Sequence, residues 1–534
     1  MIGRFKNFFI NLIFPALIFG SITGILTGAI ISLYKFCAKH VISFSEKGYH
    51  FLNHHLYVVP LVLVGLLLLA VFFSYVYKKI PRLKGGGIPS SIAILRGLIT
   101  FKWLRVLIGV FFMSLASFLV GVPLGNEGPS VLIGTAVGKG SAYTLAHKHR
   151  AWAKYSITGG ACAGFSVATG APISGIVFAL EEAHHHVSPM ILIVSCFSVL
   201  FARIATELLA PLLGVSISLF PELSLVSLGI KDLWMPLLIG IIMGFFAVLF
   251  LNLYKLINRV FNKRLKKINL GYKIFFVFAL TLLLGIISYS YISTGHELIL
   301  HLIDFTSRPA ILTLLLILLV RSILTLCANT NKITGGIFLP ILALGTLLAS
   351  ATALSLEKVF GLSHEYYTLF IALGLASCIS GMMKMPLTAI IFSVEALSCY
   401  NNILYVIIAS ASAFVITEIF RTKSINDSVV DNIIKEKKER KKVIVIDTFI
   451  TVQNNSFAIG KQIRDILWPA NLFVLSFKPS EKRTAELDEH GGRELHEGDV
   501  LHIRYSTFNE KETKRDLIAI VGEQNYNEEQ TNTI

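Results

Sequence analysis

The chain has 534 residues, of which 54% are hydrophobic and only 15% are charged, and its mean hydropathy is +0.70. This composition excludes a water-soluble globular protein and indicates an integral membrane protein. The formal net charge of +16 arises largely from basic residues in short polar connections. Such clusters usually mark the cytoplasmic side of a membrane, and they suit a protein that attracts anions.

Apolar runs long enough to cross a hydrocarbon core of about 30 Å recur from about residue 8 to residue 420. The first run, Phe8–Ile31, is too long and too often interrupted by glycine to be the core of a signal peptide, so we expect a first membrane helix there. The six cysteines lie in apolar sequence without a CxxC pair, which predicts buried thiols rather than disulfides or a metal site. Further spans are expected over Leu56–Tyr77, Trp103–Val122, Leu233–Leu253 and Ile274–Ser290.

The membrane part contains an internal repeat. The stretch APISGIVFALEEA, residues 171–183, aligns with MPLTAIIFSVEAL, residues 385–397. At an offset of 214 the alignment pairs Pro172 with Pro386, Phe178 with Phe392 and Glu181 with Glu395. The dipeptide GT recurs in the same order at an offset of 211, at Gly134 and Gly345. Two such matches predict homologous halves, which in transporters are commonly inverted, with the substrate site where broken helices meet.

Glycine and proline interrupt corresponding apolar segments of the two halves, Gly121–Ser130 and Thr334–Pro340. Unpaired backbone groups at membrane depth are tolerated only where protein, water or a ligand satisfies them. Pro129 suits the first turn of a helix, so Asn126, Glu127 and Gly128 are expected just before its N-terminus. In the second half, Gly335 and Gly336 allow the amides of Ile337 and Phe338 to point into a cavity. Two helix N-termini with exposed amides predict an anion pathway without a fixed cation.

Glu127 places a carboxylate in this apolar segment, and its chemistry suggests a role in coupling anion and proton movement. When ionised, it is a tethered anion that occupies the place of a transported anion; when protonated, it loses that attraction and leaves. One side chain would thus couple anion movement to proton movement. The alternative is a capping carboxylate that stabilises the start of the helix.

Two other polar stretches are weaker signals. The segment KGGGIPSS, Lys84–Ser91, has two interpretations: it supplies further backbone donors to the anion site, or it is a loop without such a role. Glu181 and Glu182 end an apolar helix, where acidic residues are costly unless they face water, which favours a proton entry point. For the histidines at 184–186 we expect a solvated helix end rather than a metal site, because adjacent positions do not face one ligand.

Together these segments resemble the CLC family of chloride channels and proton-coupled anion exchangers over roughly residues 8–430. GNEGP is similar to the family's GREGP, GGGIP to its GSGIP, and GGIFLP to its GxFxP motif. The resemblance implies an all-α polytopic membrane protein with inverted repeats of broken and tilted helices. It also implies a homodimer in which each subunit has its own pathway.

The resemblance assigns roles to individual positions. Glu127 falls on the external gating glutamate and Glu182 on the inner proton-transfer glutamate of exchangers. Ile337 and Phe338 fall on the residues whose backbone amides hold the central anion. The full set of anion-binding residues that we expect is Gly86, Gly87, Ile88, Asn126, Gly128, Gly336, Ile337, Phe338 and Asn426.

Three of these positions depart from the family pattern. Asn126 replaces an arginine, Gly86 stands where a serine hydroxyl contacts the anion, and Asn426 takes the place of an anion-contacting tyrosine. The central site would lack two hydroxyl donors and depend more on amides and water. Since each lost donor costs on the order of 1 kcal/mol, we expect weaker central anion binding and looser proton coupling.

The composition changes after Phe420, and alternating stretches such as VIVIDTFI and DVLHIRY predict short strands. The tail is similar to a TrkA-C (RCK_C) domain in Ser456, Gly460 and the stretch ELHEGDVLHI. That resemblance implies dimerisation and regulation by a ligand, in some bacteria cyclic di-AMP, while a dimer-stabilising appendage is the alternative. The expected domains are a transport domain over 1–425, a basic linker over 426–442, the TrkA-C-like cytoplasmic domain over 443–525 and a tail over 526–534.

The function that we expect is proton-coupled chloride antiport in the bacterial plasma membrane, without a cofactor and without enzymatic activity. Bromide and nitrate are alternative substrates, and fluoride is disfavoured because the fluoride-exporting branch differs at the glycine-rich position. A passive channel of the same fold is the first alternative. A cation transporter or ion-sensing receptor would need acidic or carbonyl-rich filter segments rather than amides. The expected partners are the lipid bilayer, a second copy of the chain and small anions, but not nucleic acid.

Overall fold

The computed structural model of the chain describes residues 13–145, 150–185, 187–304, 309–438, 443–480, 492 and 494–523. Several sequence predictions fall partly or wholly outside these ranges. They are the beginning of the first membrane helix, residue 186 of the histidine run, the end of the basic linker, residues 481–491, 493, 524 and 525 of the C-terminal domain, and the tail over 526–534.

The described residues include ten helical segments long and apolar enough to cross a membrane. The fold class predicted from the sequence is therefore confirmed: a polytopic helical protein with a small C-terminal sheet domain. The helices of the membrane part are α1 (Phe14–His54), α2 (Val59–Lys79), α3 (Ile88–Leu95), α4 (Trp103–Val120), α5 (Glu127–Leu145), α6 (Arg150–Thr169), α7 (Pro172–Phe178), α8 (Pro189–Leu213), α9 (Trp234–Arg259), α10 (Leu270–Ile287), α11 (His296–Ile303), α12 (Ile311–Thr330), α13 (Phe338–Phe360), α14 (Tyr367–Cys378), α15 (Pro386–Leu397), α16 (Ile403–Ile419) and α17 (Ile425–Lys438).

The order of the helices repeats. Helices α1–α8 correspond one by one to α9–α16, with short helices at equivalent places. Both α3 and α11 have eight residues and follow a glycine, and they begin 208 residues apart, at Ile88 and His296. The helices α5 and α13 begin 211 residues apart, and α7 and α15 begin 214 residues apart. These offsets agree with the two sequence matches.

Two glutamates at equivalent positions of the repeat each cap the start of a helix in the opposite half. The carboxylate of Glu181 accepts hydrogen bonds from the amides of Leu387 and Thr388 at 2.9 and 2.7 Å, at the start of α15. The carboxylate of Glu395 accepts from the amides of Ile173 and Ser174, both at 2.8 Å, at the start of α7. Each carboxylate thus satisfies amides that the first turn of a helix leaves unpaired. This reciprocity is what a two-fold relation between the halves produces.

The C-terminal domain contains the strands β1 (Ile444–Thr451), β2 (Leu472–Lys478) and β3 (Val500–Thr507) and the helix α18 (Glu510–Val521). The strands form an antiparallel sheet in the order β1-β3-β2, and the helix packs on it. Its core is formed by apolar side chains of β1, β3 and α18, including Ile446, Ile503 and Leu517. The predicted strands are found at the expected places.

The C-terminal domain docks on the N-terminal end of α6. The hydroxyl of Tyr155 donates to the carbonyl of Asp465 at 3.0 Å and accepts from the amide of Leu467 at 3.1 Å. The ring of Trp152 meets the ring of Phe457 edge-on at 5.7 Å. Because Tyr155 is fully buried, this contact is an integral part of the packing of the two domains.

Candidate functional site

The glycine-rich segments of the two halves meet in a direct backbone contact. The amide of Gly125 donates to the carbonyl of Gly336 at 2.6 Å, and the amide of Gly336 donates to the carbonyl of Gly125 at 2.8 Å. A Cβ added at Gly128 would lie 2.6 Å from the Cα of Gly336, a distance that real Cβ atoms do not tolerate. Glycine is therefore needed here so that two backbones can approach each other.

The third glycine-rich segment joins the same junction. A Cβ added at Gly87 would lie 3.3 Å from the Cα of Gly128. The segment is anchored through the amide of Gly85, which donates to the carbonyl of Lys332 at 2.8 Å, and through the hydroxyl of Thr334, which donates to the carbonyl of Leu83 at 2.8 Å. All three segments singled out in the sequence thus converge on one place.

Glu127 lies at this junction and is fully buried. The helix α5 begins at Glu127, so Pro129 lies in the first turn as predicted, but Glu127 and Gly128 belong to the helix rather than preceding it. A Cβ at Gly125 would collide with the carboxylate of Glu127, which places that carboxylate against the crossing backbones. The amide of Leu339, in the first turn of α13, acts on the same carboxylate.

The carboxylate of Glu127 therefore lies where a helix N-terminus offers amides to an anion. Neither of its oxygens has a regular hydrogen-bond partner among the described residues. Burial of this carboxylate is costly when it is ionised, because the amides of Glu127 and Leu339 interact with it without the regular hydrogen bonds that Glu181 makes. A capping role would show short hydrogen bonds of the kind that Glu181 makes.

Aromatic side chains hold the N-terminus of α13. The ring of Phe338 packs edge-on against Phe165 at 5.3 Å and against Phe392 at 5.5 Å. Phe165 in turn stacks on Phe178 at 5.2 Å. Phe178 and Phe392 are repeat equivalents, so the two halves contribute matching rings to one cluster, which fixes the amides of Phe338 and Leu339 in position.

Glu182 lies in a π-helical turn, Ala179–His184, that continues α7, and it is 2% exposed. The side-chain amide of Asn426 donates to Oε1 of Glu182 at 3.0 Å. Arg96, just after α3, donates to the backbone carbonyls of Glu182 at 2.9 Å and of Ala183 at 3.1 Å. The two neighbouring glutamates thus differ: Glu181 caps a helix, whereas Glu182 is buried and accepts a hydrogen bond from Asn426.

Other predicted site residues divide into two groups. Gly86, Gly87, Ile88, Gly128, Gly336, Ile337 and Phe338 are all buried at the junction. Asn126 is half-buried beside it, and Asn426 lies against Glu182 rather than in the glycine-rich junction itself. Of the histidine run, His184 contacts Thr158 and His185 contacts Arg96.

Two basic side chains that interact with Glu127 carry no motif in the sequence and were not predicted. Lys35 on α1 and His296 at the start of α11 both act electrostatically on its carboxylate. Lys35 donates to the carbonyl of Ser216 at 2.8 Å, and the ring of His296 bonds the carbonyl of Leu219 at 2.8 Å. Helix α11 is the repeat equivalent of α3, which follows the glycine-rich segment, and that correspondence was the available signal for His296.

Comparison with known proteins agrees with this architecture. The sequence model of the voltage gated chloride channel family matches residues 66–418. The H(+)/Cl(-) exchange transporter ClcA of Vibrio parahaemolyticus is 27% identical over 437 residues, which cover 80% of this chain and 91% of that protein. The transporter of the same name from Vibrio vulnificus is 28% identical, over 79% of this chain and 91% of its own.

Solved structures share the fold. A slow cyanobacterial Cl-/H+ antiporter superposes with a TM-score of 0.70 at 22% identity, covering 80% of this chain and 99% of its own. A CLC-type fluoride/proton antiporter gives a TM-score of 0.63 at 22% identity, over 77% of this chain and 97% of its own. With a family match over well more than half of its length, the chain belongs to the voltage gated chloride channel family.

Proposed function

We propose that this chain exchanges chloride for protons across a membrane. The observation that carries the proposal is the placement of two buried glutamates near opposite ends of α3. Glu127 adjoins the junction at the N-terminal end of α3, and Glu182 is held through Arg96 at its C-terminal end. Since an eight-residue helix is about 12 Å long, the proton transfer that we propose between them would need a short relay of intervening groups.

Glu127 links the two ions because its carboxylate and a transported anion compete for the same amides. When the side chain is ionised, it remains at the N-terminus of α13 and blocks the anion. When it takes up a proton, the attraction to the amides is lost, the side chain leaves, and an anion enters. Glu182 exchanges the proton with the other side. Anion movement and proton movement thereby alternate at one place.

Chloride is the substrate that we propose, because the two similar Vibrio proteins are named H(+)/Cl(-) exchange transporters. The likeness to a fluoride/proton antiporter, at 22% identity, concerns the fold and does not argue for fluoride. Gly86 offers no hydroxyl, so we expect the backbone amides of α13 and water to provide most of the donors to the anion.

The experiment is proton uptake into liposomes that contain the purified full-length chain. An outward chloride gradient is imposed at equal pH, with the membrane potential clamped. An exchanger moves protons inward against the gradient that builds up, and reversing the chloride gradient reverses the proton flow. Chloride efflux without any proton movement would instead establish a passive channel of the same fold.

We also propose that the chain works as a homodimer through the face formed by α7, α8, α15 and α16. Ile173 and Leu387, which are repeat equivalents on α7 and α15, are 55% and 59% exposed. Leu208 on α8 and Ile403 on α16 are exposed as well. The mass of the protein in detergent, after subtraction of bound detergent, distinguishes a dimer from a monomer.

The C-terminal domain supports a further proposal, regulation by a cytoplasmic ligand such as cyclic di-AMP at a TrkA-C-like domain. A cavity of about 480 Å³ lies between this domain and the membrane part. Its lining includes Glu436, Glu512 and Asp516 but more basic side chains, among them Arg82, Lys139, Arg150 and Lys154, which would attract a phosphate-bearing molecule. The helix α17 connects the wall of this cavity to Asn426, which offers a route to the transport site.

Titration of cyclic di-AMP into the full-length protein tests this regulation, with chloride efflux measured in the same preparation. Binding accompanied by a change in efflux supports a regulatory domain. Binding without effect, or no binding, favours an appendage that only stabilises the assembly. A matched variant, Lys154→Gln, should weaken binding if the ligand occupies the cavity between the domains.

A further inference from the structure

The first turn of α17 lies directly against the inner glutamate. Asn426 is fully buried, and its side-chain Nδ2 is 3.0 Å from Oε1 of Glu182. The other polar atom of this amide, Oδ1, has no hydrogen-bond partner among the described residues. Burying an amide whose oxygen has no hydrogen-bond partner costs free energy. The burial of Asn426 beside Glu182 therefore points to a role for its remaining hydrogen bond.

A network of polar contacts fixes Asn426 relative to Glu182. Arg96 holds the backbone carbonyl of Glu182 at 2.9 Å and also Oδ1 of Asp427, the neighbour of Asn426, at 3.0 Å. One guanidinium therefore ties the turn that carries the glutamate to the helix that carries the asparagine. The charged and titratable groups around Glu182 are Arg96 at the end of α3, Asp427 on α17, and Glu181, His184 and His185 on its own turn.

The side chain of Asn426 cannot change its charge, but it responds differently to the two states of Glu182. An amide N–H donates more strongly to an ionised carboxylate than to a neutral acid. The hydrogen bond therefore stabilises the ionised form and limits the orientations of the carboxylate. Asp427 and Glu181 act in the opposite direction, because like charges favour the protonated form.

We propose that Asn426 is a positioning residue for Glu182: its amide orients the carboxylate and sets the pH range over which Glu182 takes up and releases protons. This inference rests on the proposed proton exchange. It differs from a role for Asn426 as a direct ligand of the transported anion, because it predicts an effect on proton coupling rather than on anion affinity.

The test compares Asn426→Leu, which keeps the size but removes the donor, with Asn426→Asp, which keeps the shape but adds a carboxylate. The matched control is Asn432→Leu on the same helix, since Asn432 donates to the hydroxyl of Tyr254 at 3.2 Å and lies away from Glu182. Each full-length variant is reconstituted in liposomes. Chloride efflux and the ratio of protons to chloride are measured from pH 4.5 to pH 8.

For Asn426→Leu we expect the pH of half-maximal proton transport to rise by about one unit, the effect of losing one hydrogen bond to a charged group. For Asn426→Asp we expect a larger rise, because two adjacent carboxylates favour a shared proton. The chloride concentration for half-maximal efflux should remain near that of the wild type. Asn432→Leu should match the wild type in pH profile.

A pH profile of Asn426→Leu that coincides with wild type and Asn432→Leu would overturn the positioning role. So would a change confined to the chloride dependence, which would make Asn426 an anion ligand. If Asn426→Leu yields no folded protein, Asn426→Asp decides by the same criterion. A wild-type chain that moves chloride but no protons at any pH would refute the proposed exchange itself, and this inference with it.

Discussion

The backbones of Gly125 and Gly336 are hydrogen-bonded to each other in both directions, at 2.6 and 2.8 Å. This two-residue antiparallel bridge joins the first half of the membrane part to the second. It also fixes where α5 and α13 begin, and so brings Glu127 to the amide of Leu339. The junction that we propose as the anion site is therefore a product of the contact between the halves.

Gly128→Ala should disrupt this junction. Its Cβ would lie 2.6 Å from the Cα of Gly336, and two backbones cannot separate without breaking the bridge. We expect loss of chloride efflux and a large drop in the yield of monodisperse protein. Gly65→Ala is the control, because a Cβ there meets nothing within 4 Å. Equal behaviour of the two variants in efflux and size-exclusion chromatography would contradict the close approach.

Gly86→Ser should strengthen anion binding. The added hydroxyl supplies a donor worth about 1 kcal/mol, which corresponds to a roughly fivefold lower chloride Kd. Gly86→Ala is the matched control, since both variants place a Cβ 3.1 Å from Cγ2 of Thr334 and only serine adds the hydroxyl. Calorimetric titration of chloride should separate the two. If serine and alanine bind chloride equally, Gly86 does not face the anion.

Glu181→Gln and Glu395→Gln should lower stability by similar amounts. Each carboxylate accepts from two helix amides and one hydroxyl, and glutamine has a single acceptor oxygen, so a loss of about 1–3 kcal/mol is expected. Thermal unfolding in detergent measures this loss. The ratio of protons to chloride should not change in either variant, whereas Glu182→Gln should reduce it. A reduced ratio of protons to chloride for Glu181→Gln would show that the assignment of proton transfer to Glu182 rather than Glu181 is wrong.

The C-terminal domain should lose stability in acid through Asp447. Arg504 donates two hydrogen bonds to Asp447, at 2.9 and 2.6 Å. Arg504 and, to a lesser extent, His502 hold the pKa of Asp447 below its ordinary value of 3.8. Because the pKa of Asp447 is lower in the folded protein, its ionised carboxylate stabilises the fold at pH values above 3.8. This contribution is lost as the pH falls through the lowered pKa. Because Asp447 is close to solvent, the effect should be modest.

Thermal scans of the full chain and of Asp447→Asn check this dependence. The wild type should unfold at the higher temperature at pH 6, and the difference should shrink as the pH falls below about 4. A difference that persists unchanged at pH 3 would show that the stabilisation does not depend on the ionised carboxylate.

The sequence predicted the parts of the site that depend on local chemistry. Glycine and proline close together in an apolar run indicate a broken helix, so the segments around Gly87, Gly128 and Gly336 could be identified from the sequence, although their convergence could not. The repeat offset also predicted that Glu181 and Glu395 occupy equivalent positions. Their mutual capping did not follow from the alignment, because it depends on how the two halves face each other.

The remaining features arise from contacts between distant parts of the chain. Asn426 and Glu182 are 244 residues apart, and their hydrogen bond depends on the entry angle of α17. Sequence reasoning assigned Asn426 to the anion through its position in the family pattern. Lys35 and His296 lie on helices that bear no motif. The repeat marks α11 as the equivalent of α3, but only the assembled fold shows that both side chains interact with Glu127.

The most direct test of the role of Glu127 is proton coupling in Glu127→Gln compared with the wild type. Glutamine keeps the shape but neither ionises nor carries a proton. Chloride efflux should persist and become insensitive to pH, while proton uptake driven by a chloride gradient should fall to the level of protein-free liposomes. If Glu127→Gln still moves protons against their gradient with the pH dependence of the wild type, Glu127 is not the residue that couples the two ions.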